Sequence, residues 1–254
     1  MSQSYKWKFP PRGGGEKFGF KNADLEHFKK NDPFVSLTRE IIQNSLDAKD
    51  PSSQRPVEVT FEVESQATKS FPDSNRFMKI IERCFEESAG KRDAENFYQN
   101  AINVFKQPHV KILKISDINT TGLTPDTWEN LVKTSGVSEK KTSTAGGSYG
   151  FGKSAPFACS QLKTIFYSSL DEDDNYLFQG KTVFQSHDDI DTGQSTQRTG
   201  YYGLDNDEIG PINNLAEINK DYLFYKRETQ GTSIFIMGMI DKDDWYENIA
   251  ISVL

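Results

Sequence analysis

Residues 146–155 read GGSYGFGKSA, and this stretch fits two phosphate-binding motifs that belong to different folds. Read as GxxxxGKS from Gly147, it matches the P-loop, in which backbone N–H groups surround the phosphates and Lys153 reaches the outer ones. Read as GxxGxG, with Gly147, Gly150 and Gly152, it matches a glycine hinge at the end of a mobile loop. Each interpretation requires different strands and helices around it, so the rest of the chain has to decide between them.

The composition narrows the classes of protein to which the chain can belong. Its 254 residues suffice for one large domain or two small ones with a proper core. Charges and prolines near the N-terminus exclude a secretory signal, and no apolar run approaches the roughly 18 residues of a membrane span. We therefore expect a cytoplasmic protein that does not enter a membrane. Two cysteines without paired spacing and three histidines argue against disulfides or structural zinc, and a net charge of -7 argues against a strongly basic nucleic-acid binder.

The order of predicted elements along the chain is mixed α/β. Asp32 and Pro33 mark a helix start, with aspartate as the cap and proline at the first helical position, before FVSLTREIIQNSLDA. The charged helical pattern of residues 71–106 predicts two helices with a break at Ala89-Gly90. Alternating apolar residues predict strands at 57–64, 109–116, 163–170, 175–184 and 232–238.

This order divides the chain into three segments. Residues 1–31, irregular through Gly15, are interpreted as an N-terminal arm, and residues 32–240 as the folded domain. A helical insertion at about 66–108 separates the first two strands; it is either a partner-binding element or a decoration that covers the sheet. Residues 241–254 begin an amphipathic C-terminal helix, which we interpret as truncated.

Glu40, Asn44 and Asp47 form a polar stripe on the predicted helix after Pro33. They stand at i, i+4 and i+7, within a sector of about 60°. Apolar residues occupy the remaining arc: Leu37, Ile41, Ile42, Leu46 and Ala48. The stripe is either the solvated edge of an ordinary amphipathic helix or a set of two carboxylates and an amide presented to a cavity. The spacing alone favours the ordinary helix.

Asp117 and Thr232 stand at the ends of predicted strands, where ligand sites often lie. Asp117 follows the strand HVKILKIS and leads into the turn INTTGLT. The alternative is a turn-forming aspartate that bonds its own backbone. Gly231-Thr232 opens the strand SIFIMG, where the alternative is a threonine chosen for its β-propensity.

Chain order separates the two interpretations of the glycine stretch. A P-loop needs an apolar strand directly before its first glycine, whereas the residues before Gly147 read SGVSEKKTSTAG, which is typical of a loop. Asp117, the strand-ending aspartate best suited to assist Mg²⁺, also precedes the glycines, which reverses the usual P-loop order. The sequence therefore favours the glycine hinge.

Taken together and in order, four short boxes resemble those of the GHKL ATPase superfamily, which includes DNA gyrase, heat-shock chaperones, histidine kinases, MutL and MORC-type ATPases. The boxes are REIIQNSLDA, SDINTTGLT, GGSYGFGKSAPFA and QGTSIFI, within residues 37–236, and they are most similar to the MutL, chaperone and MORC-type forms. The resemblance implies a two-layer α/β sandwich of the GHKL (Bergerat) type. Its sheet would be mixed and largely antiparallel, with helices on one face and an ATP lid.

The resemblance also assigns roles to the first two boxes. Glu40 would be the general base that polarises the attacking water, Asn44 the side chain on Mg²⁺, and Asp47 part of the pocket wall. Asp117 would accept a hydrogen bond from the adenine amino group, and Gly122 would let the backbone lie close to the base. This glycine follows the aspartate by five residues, one more than the family pattern has.

The last two boxes complete the site implied by the resemblance. Gly147, Gly150 and Gly152 would form the lid hinge before a helix whose N-terminus faces the phosphates, and Lys153 would be a phosphate ligand. Thr232 would support the aspartate around the base. Further lid candidates lie in SGVSEKK: Ser138, Lys140 and Lys141.

The function implied by the resemblance is Mg²⁺-dependent ATP binding with slow hydrolysis, because lid closure and dimerisation usually complete such sites. ATP and Mg²⁺ are the expected cofactors, and an ATP-dependent homodimer is the expected switch. The switch would drive a DNA-acting or nuclease partner, with protein or nucleic acid bound through other domains. The alternatives are a non-hydrolysing ATP-sensing interaction module and, less favoured, a P-loop NTPase.

Overall fold

The computed structural model describes residues 4–21, 32–133, 154–206, 209–214 and 220–253. The strands are β1 Tyr5–Lys8, β2 Glu58–Ala67, β3 His109–Ile118, β4 Ser160–Leu170, β5 Tyr176–Val183, β6 Thr199–Leu204 and β7 Gly231–Met239. The helices are α1 Pro33–Asp47, α2 Ser74–Glu86, α3 Arg92–Phe105, α4 Pro125–Val132, α5 Ala155–Ala158 and α6 Trp245–Val253, and 3₁₀ turns span Thr68–Ser70 and Lys220–Tyr225. The five predicted strands, the helix after Asp32, the two insertion helices and the C-terminal helix are confirmed.

The described strands form one seven-stranded sheet in the order β1-β6-β5-β4-β7-β3-β2. Each neighbouring pair is antiparallel, so within the described residues the expectation of a mixed sheet is wrong. A P-loop joins parallel strands through a helical crossover. This sheet therefore argues against the P-loop interpretation.

Helices cover both faces of the sheet, which corrects the prediction of two layers with helices on one face. The first face packs against α1, α4, α5 and α6, and the second packs against α2 and α3. Successive residues of the central strand β4 alternate between the two cores: Ile165 and Tyr167 belong to the first, and Phe166 belongs to the second. Because both faces of the central strands are apolar, both need a covering layer. The insertion helices supply the second one.

The sequence did not predict the β1 and β6 strands, and a local feature of each segment explains the omission. β1 has only four residues, and it occupies the start of the segment that we expected to be irregular. Its Trp7 is fully buried. β6 contains Gly200 and Gly203, which are typical of a turn. A side chain at Gly200 would lie 2.5 Å from the Phe9 ring, so the glycine makes room for the segment after β1. The first residues of the expected arm are therefore part of the sheet.

Helix α1 begins as the sequence predicts. Asp32 caps it by accepting a hydrogen bond from the Phe34 amide at 2.8 Å. The same carboxylate accepts from Lys242 and from Asn248, which fixes α6 against the start of α1. The buried side of α1 comprises Phe34, Leu37, Thr38, Ile41 and Ser45. Leu46, expected on the buried arc, is 58% exposed instead, because that arc is centred near Phe34 and Ile41 and Leu46 lies about 120° around the helix from its centre.

Candidate functional site

The predicted catalytic stripe lies on α1, at the edge of its contact with the first face of the sheet. Glu40 is half-buried, while Asn44 and Asp47 are exposed. Asn44 donates a hydrogen bond through Nδ2 to Glu40 Oε1 at 3.3 Å. At 100° per residue the centre of the stripe lies about 110° around the helix from the centre of its buried side. It therefore flanks the sheet and does not point directly away from it.

Tyr167 of β4 connects the stripe electrostatically with the sheet. Burial raises the pKa of its phenol, and the nearby charges of Tyr201 and Glu40 raise it further. Glu40 is thus close enough to the first face for its charge to act on a fully packed residue of the central strand.

Asp117, near the end of β3, is held by donors from three different parts of the chain. Oδ1 accepts from the Thr120 hydroxyl at 2.7 Å and from the Thr232 amide at 2.6 Å. Oδ2 accepts from the Ser45 hydroxyl at 3.2 Å. The side chain is 12% exposed. The structure thus brings Asp117 and Thr232 together and adds Ser45, which the sequence analysis did not select.

Counting lone pairs indicates what this carboxylate can still do. An ionised carboxylate offers about four acceptor positions. Oδ1 has two donors, whereas Oδ2 has one within the described residues. The remaining position on Oδ2 suits an N–H donor from a ligand, because a partly buried carboxylate favours a further hydrogen bond.

Asp117 and the catalytic stripe are linked through a single helix. Ser45, which contacts the aspartate, follows Glu40 by five residues on α1, or roughly 7.5 Å along the helix axis. An elongated ligand that donates to Asp117 and runs along the side of α1 towards its N-terminus would reach Asn44 and then Glu40.

The turn after Asp117 accommodates the extra residue noted in the sequence. Asn119 has a φ of +63°, a left-handed conformation that asparagine tolerates well. Its side chain donates to the Pro56 carbonyl at 2.7 Å. Gly122 has a φ of +71°, and a Cβ there would lie 2.3 Å from the Leu170 carbonyl oxygen. Glycine is therefore required by packing against the end of β4, in addition to any role beside a ligand.

Thr232 meets the aspartate through its backbone and not through its hydroxyl. Its amide donates to Asp117 Oδ1, while its Oγ1 lies 3.2 Å from Ser169 Oγ. Arg227 also reaches this region, with Nη2 at 3.9 Å from Asp117 Oδ1. Burial lowers the pKa of Arg227, and the Asp117 charge opposes that shift. Ser45 lies within the REIIQNSLDA box but receives no role from the resemblance, and Arg227 lies outside all four boxes.

The phosphate-binding side of the predicted site lies outside the described residues. The candidates concerned are Gly147, Gly150, Gly152, Lys153, Ser138, Lys140 and Lys141. Within the described ranges, no group of three or more His, Cys, Asp or Glu side chains could hold a metal ion. Asn44 fits the expected Mg²⁺ site as a single ligand: its nitrogen bonds Glu40, which leaves a hard amide oxygen for an ion that keeps most of its waters.

Two cavities lie elsewhere on the molecule. One of about 300 Å³ shares Arg227 with the surroundings of Asp117, and another of about 200 Å³ lies beside β1. Glu40, Asn44 and Asp117 line neither. The placed polar groups around Asp117, and not either cavity, provide the features that ligand recognition depends on.

Comparison with known proteins leaves the family open. No protein-family model matches this chain, and a search of curated proteins finds no significant match. Along the stretches that the structure describes, no helix has both the length and the apolarity needed to cross a membrane. The chain is thus an α/β sandwich built on an antiparallel sheet, with an ordered carboxylate at the end of β3.

Proposed function

We propose that this chain is a GHKL-type protein that binds ATP with Mg²⁺, hydrolyses it slowly and uses it as a conformational switch. The observation that carries the proposal is the Asp117 carboxylate, 12% exposed and ordered by Ser45, Thr120 and the Thr232 amide. A carboxylate ordered in this way, with acceptor capacity remaining on Oδ2, suits the exocyclic amino group of adenine. The order of the four boxes, which resembles that of GHKL proteins, also supports the proposal.

The proposed orientation of the nucleotide follows from α1. The base would lie at Asp117 beside Ser45, and the phosphates would run along α1 to Asn44, whose amide oxygen would hold Mg²⁺. When bound, Mg²⁺ neutralises phosphate charge and orients the terminal phosphate. Asn44 also donates to Glu40 Oε1 at 3.3 Å, which orients the carboxylate that would accept a proton from the attacking water.

The Glu40→Ala variant separates binding from turnover. The substitution removes the water-activating carboxylate and leaves the contacts of Asp117 intact, so we expect ATP affinity within about twofold of wild type. General bases contribute about 10²–10⁴-fold to rate, and turnover should fall by at least the lower of these factors. Calorimetric titration with Mg·ATP and a phosphate-release assay measure the two quantities. Glu82→Ala, which changes an exposed glutamate on α2 at the second face, is the matched control.

The outcomes distinguish the proposal from its alternatives. A wild-type chain that shows no calorimetric binding of Mg·ATP would refute the proposed function. Binding without measurable turnover in the wild type would support the ATP-sensing interaction module instead. Unchanged turnover in Glu40→Ala would remove α1 from the catalytic site. Sedimentation of Glu40→Ala with and without ATP tests the proposed homodimer, since an ATP-bound, non-hydrolysing variant should accumulate the dimer.

A further inference from the structure

Arg227 is a buried cation beside the candidate base site. The residue is 7% exposed, and it lies just before the Gly231 that opens β7. A guanidinium carries five N–H donors in a fixed fork. Burying such a group is costly unless every donor is used. The acceptor that each N–H group bonds therefore indicates what the residue does.

All five donors of Arg227 are used within the protein. Nε donates to one carbonyl, Nη1 to a carbonyl and a hydroxyl, and Nη2 to two carbonyls. The acceptors are the Thr229 oxygen at 2.8 Å, the Thr232 oxygen at 3.0 Å, Ser233 Oγ at 2.9 Å, the Gln230 oxygen at 2.9 Å and the Asp117 oxygen. No donor remains for a phosphate, so Arg227 is not a ligand contact. It joins the end of β3 to the start of β7.

Gly231 makes this arrangement sterically feasible. Its φ is +127°, and a Cβ there would lie 2.3 Å from Arg227 Nη2 and 2.7 Å from Asp117 Oδ1. Only a residue without a side chain leaves room for both the guanidinium and the carboxylate at this position of the backbone. Glycine is therefore required at this position of the QGTSIFI box, because the two charged groups leave no space for a side chain.

We propose that Arg227 is a positioning residue that fixes the Asp117 carboxylate against the Thr232 amide and thereby sets the preference for a base that carries an amino group. The inference rests on the proposed function, because the preferred base is the adenine of ATP. Arg227 holds the carbonyls of residues 229, 230 and 232 and the main-chain oxygen of Asp117 itself. A lysine has three donors on a single atom and cannot reproduce this planar fork.

The test compares two nucleotides on Arg227→Lys. ATP carries the 6-amino group, and purine riboside triphosphate lacks it but has the same phosphates. A hydrogen bond to a charged acceptor changes affinity by about tenfold or more. We expect Arg227→Lys to lower the ATP affinity by about tenfold and to leave the analogue within about twofold. Arg76→Lys is the matched control, since Arg76 is 16% exposed and forms its ion pair with Asp191 at 2.7 Å.

Two results would overturn the positioning role. Equal loss of affinity for both nucleotides would indicate general destabilisation, and unchanged affinity for both would indicate that Arg227 does not act on Asp117. In an Asp117→Ala background, Arg227→Lys should have no further effect on the preference. If Arg227→Lys does not fold, Ser233→Ala removes one of its acceptors and should lower the preference about threefold.

A measurement without nucleotide separates this inference from the proposed function. The Thr232 amide donates to Asp117 Oδ1 at 2.6 Å, so its hydrogen exchange reports the placement of the carboxylate. Arg227→Lys should speed exchange at Thr232 by about tenfold or more while Ile236, in the middle of β7, is unchanged. Equal protection in both proteins would refute the inference even if ATP binds. Faster exchange in a chain that does not bind ATP would refute only the proposed function.

Discussion

Gly122 and Gly193 form a natural pair for testing how the turn after β3 is built. Both are left-handed, with φ of +71° and +68°. A Cβ at Gly122 would lie 2.3 Å from the Leu170 carbonyl oxygen, whereas a Cβ at Gly193 would have nothing within 4 Å. The two alanine variants therefore share the conformational cost of a left-handed residue, and only Gly122→Ala adds a clash with backbone.

The expected magnitudes follow from these distances. A left-handed alanine costs about 1–2 kcal/mol, which is the whole effect predicted for Gly193→Ala. At Gly122 the end of β4 must also move by about 1 Å to reach an ordinary contact distance. Overpacking of this kind costs about 1–3 kcal/mol. Gly122→Ala should therefore lower the free energy of unfolding by about 2–5 kcal/mol.

Urea denaturation followed by tryptophan fluorescence measures both variants under the same conditions. The movement should also reach the candidate site, because Ser169 Oγ accepts from the Leu123 amide at 2.8 Å and donates to the Gly231 carbonyl at 3.0 Å. ATP affinity should consequently fall in Gly122→Ala and stay unchanged in Gly193→Ala. Equal stability losses within about 0.5 kcal/mol would refute the packing argument, since surface effects are of that size.

Two further predictions concern buried polar groups. Ser45→Ala removes the donor to Asp117 Oδ2 and should lower ATP affinity about tenfold, with the free energy of unfolding reduced by only about 1 kcal/mol; calorimetry and urea denaturation measure the two effects. Burial lowers the pKa of His187 below its ordinary value of 6.5. The folded state then binds fewer protons than the unfolded state, so the stability contributed above pH 6.5 should be lost as pH falls towards the folded pKa. The urea midpoint should drop between about pH 7.5 and 5.5, and His187→Gln should flatten that dependence.

The secondary structure was predictable wherever apolar periodicity was long. The β2, β3, β4, β5 and β7 strands and the α1, α2, α3 and α6 helices were all found from their patterns. The two missed strands depend on each other: β1 pairs with β6 from Tyr5–Leu204 to Lys8–Tyr201. Gly200 gives β6 a composition typical of a turn, but its lack of a side chain leaves room for the Phe9 ring. A contact between residues so far apart in the chain has no local signal.

The same reasoning explains which site residues escaped the sequence analysis. Ser45 and Thr38 are polar residues on the buried side of α1, and each needs a partner there. Thr38 bonds the Phe34 carbonyl of its own helix, whereas Ser45 bonds Asp117 across to β3. The buried position of Ser45 was visible in the periodicity, but its partner was not. Arg227 gave no signal at all, because four of its five acceptors are main-chain oxygens whose position depends on the whole fold.

Helix α1 connects two regions that differ in the number of hydrogen bonds that fix their side chains. At its C-terminal end, Ser45 joins an aspartate that has three donors. Further back, Glu40 and Asn44 share a single 3.3 Å bond at the edge of the helix. In the proposed site, the part around Asp117 would therefore be organised without a ligand, whereas the predicted catalytic stripe would need further groups to exclude water and hold the phosphates. Binding would then precede assembly of the catalytic site, which is the order of events that a slow, switch-like ATPase requires.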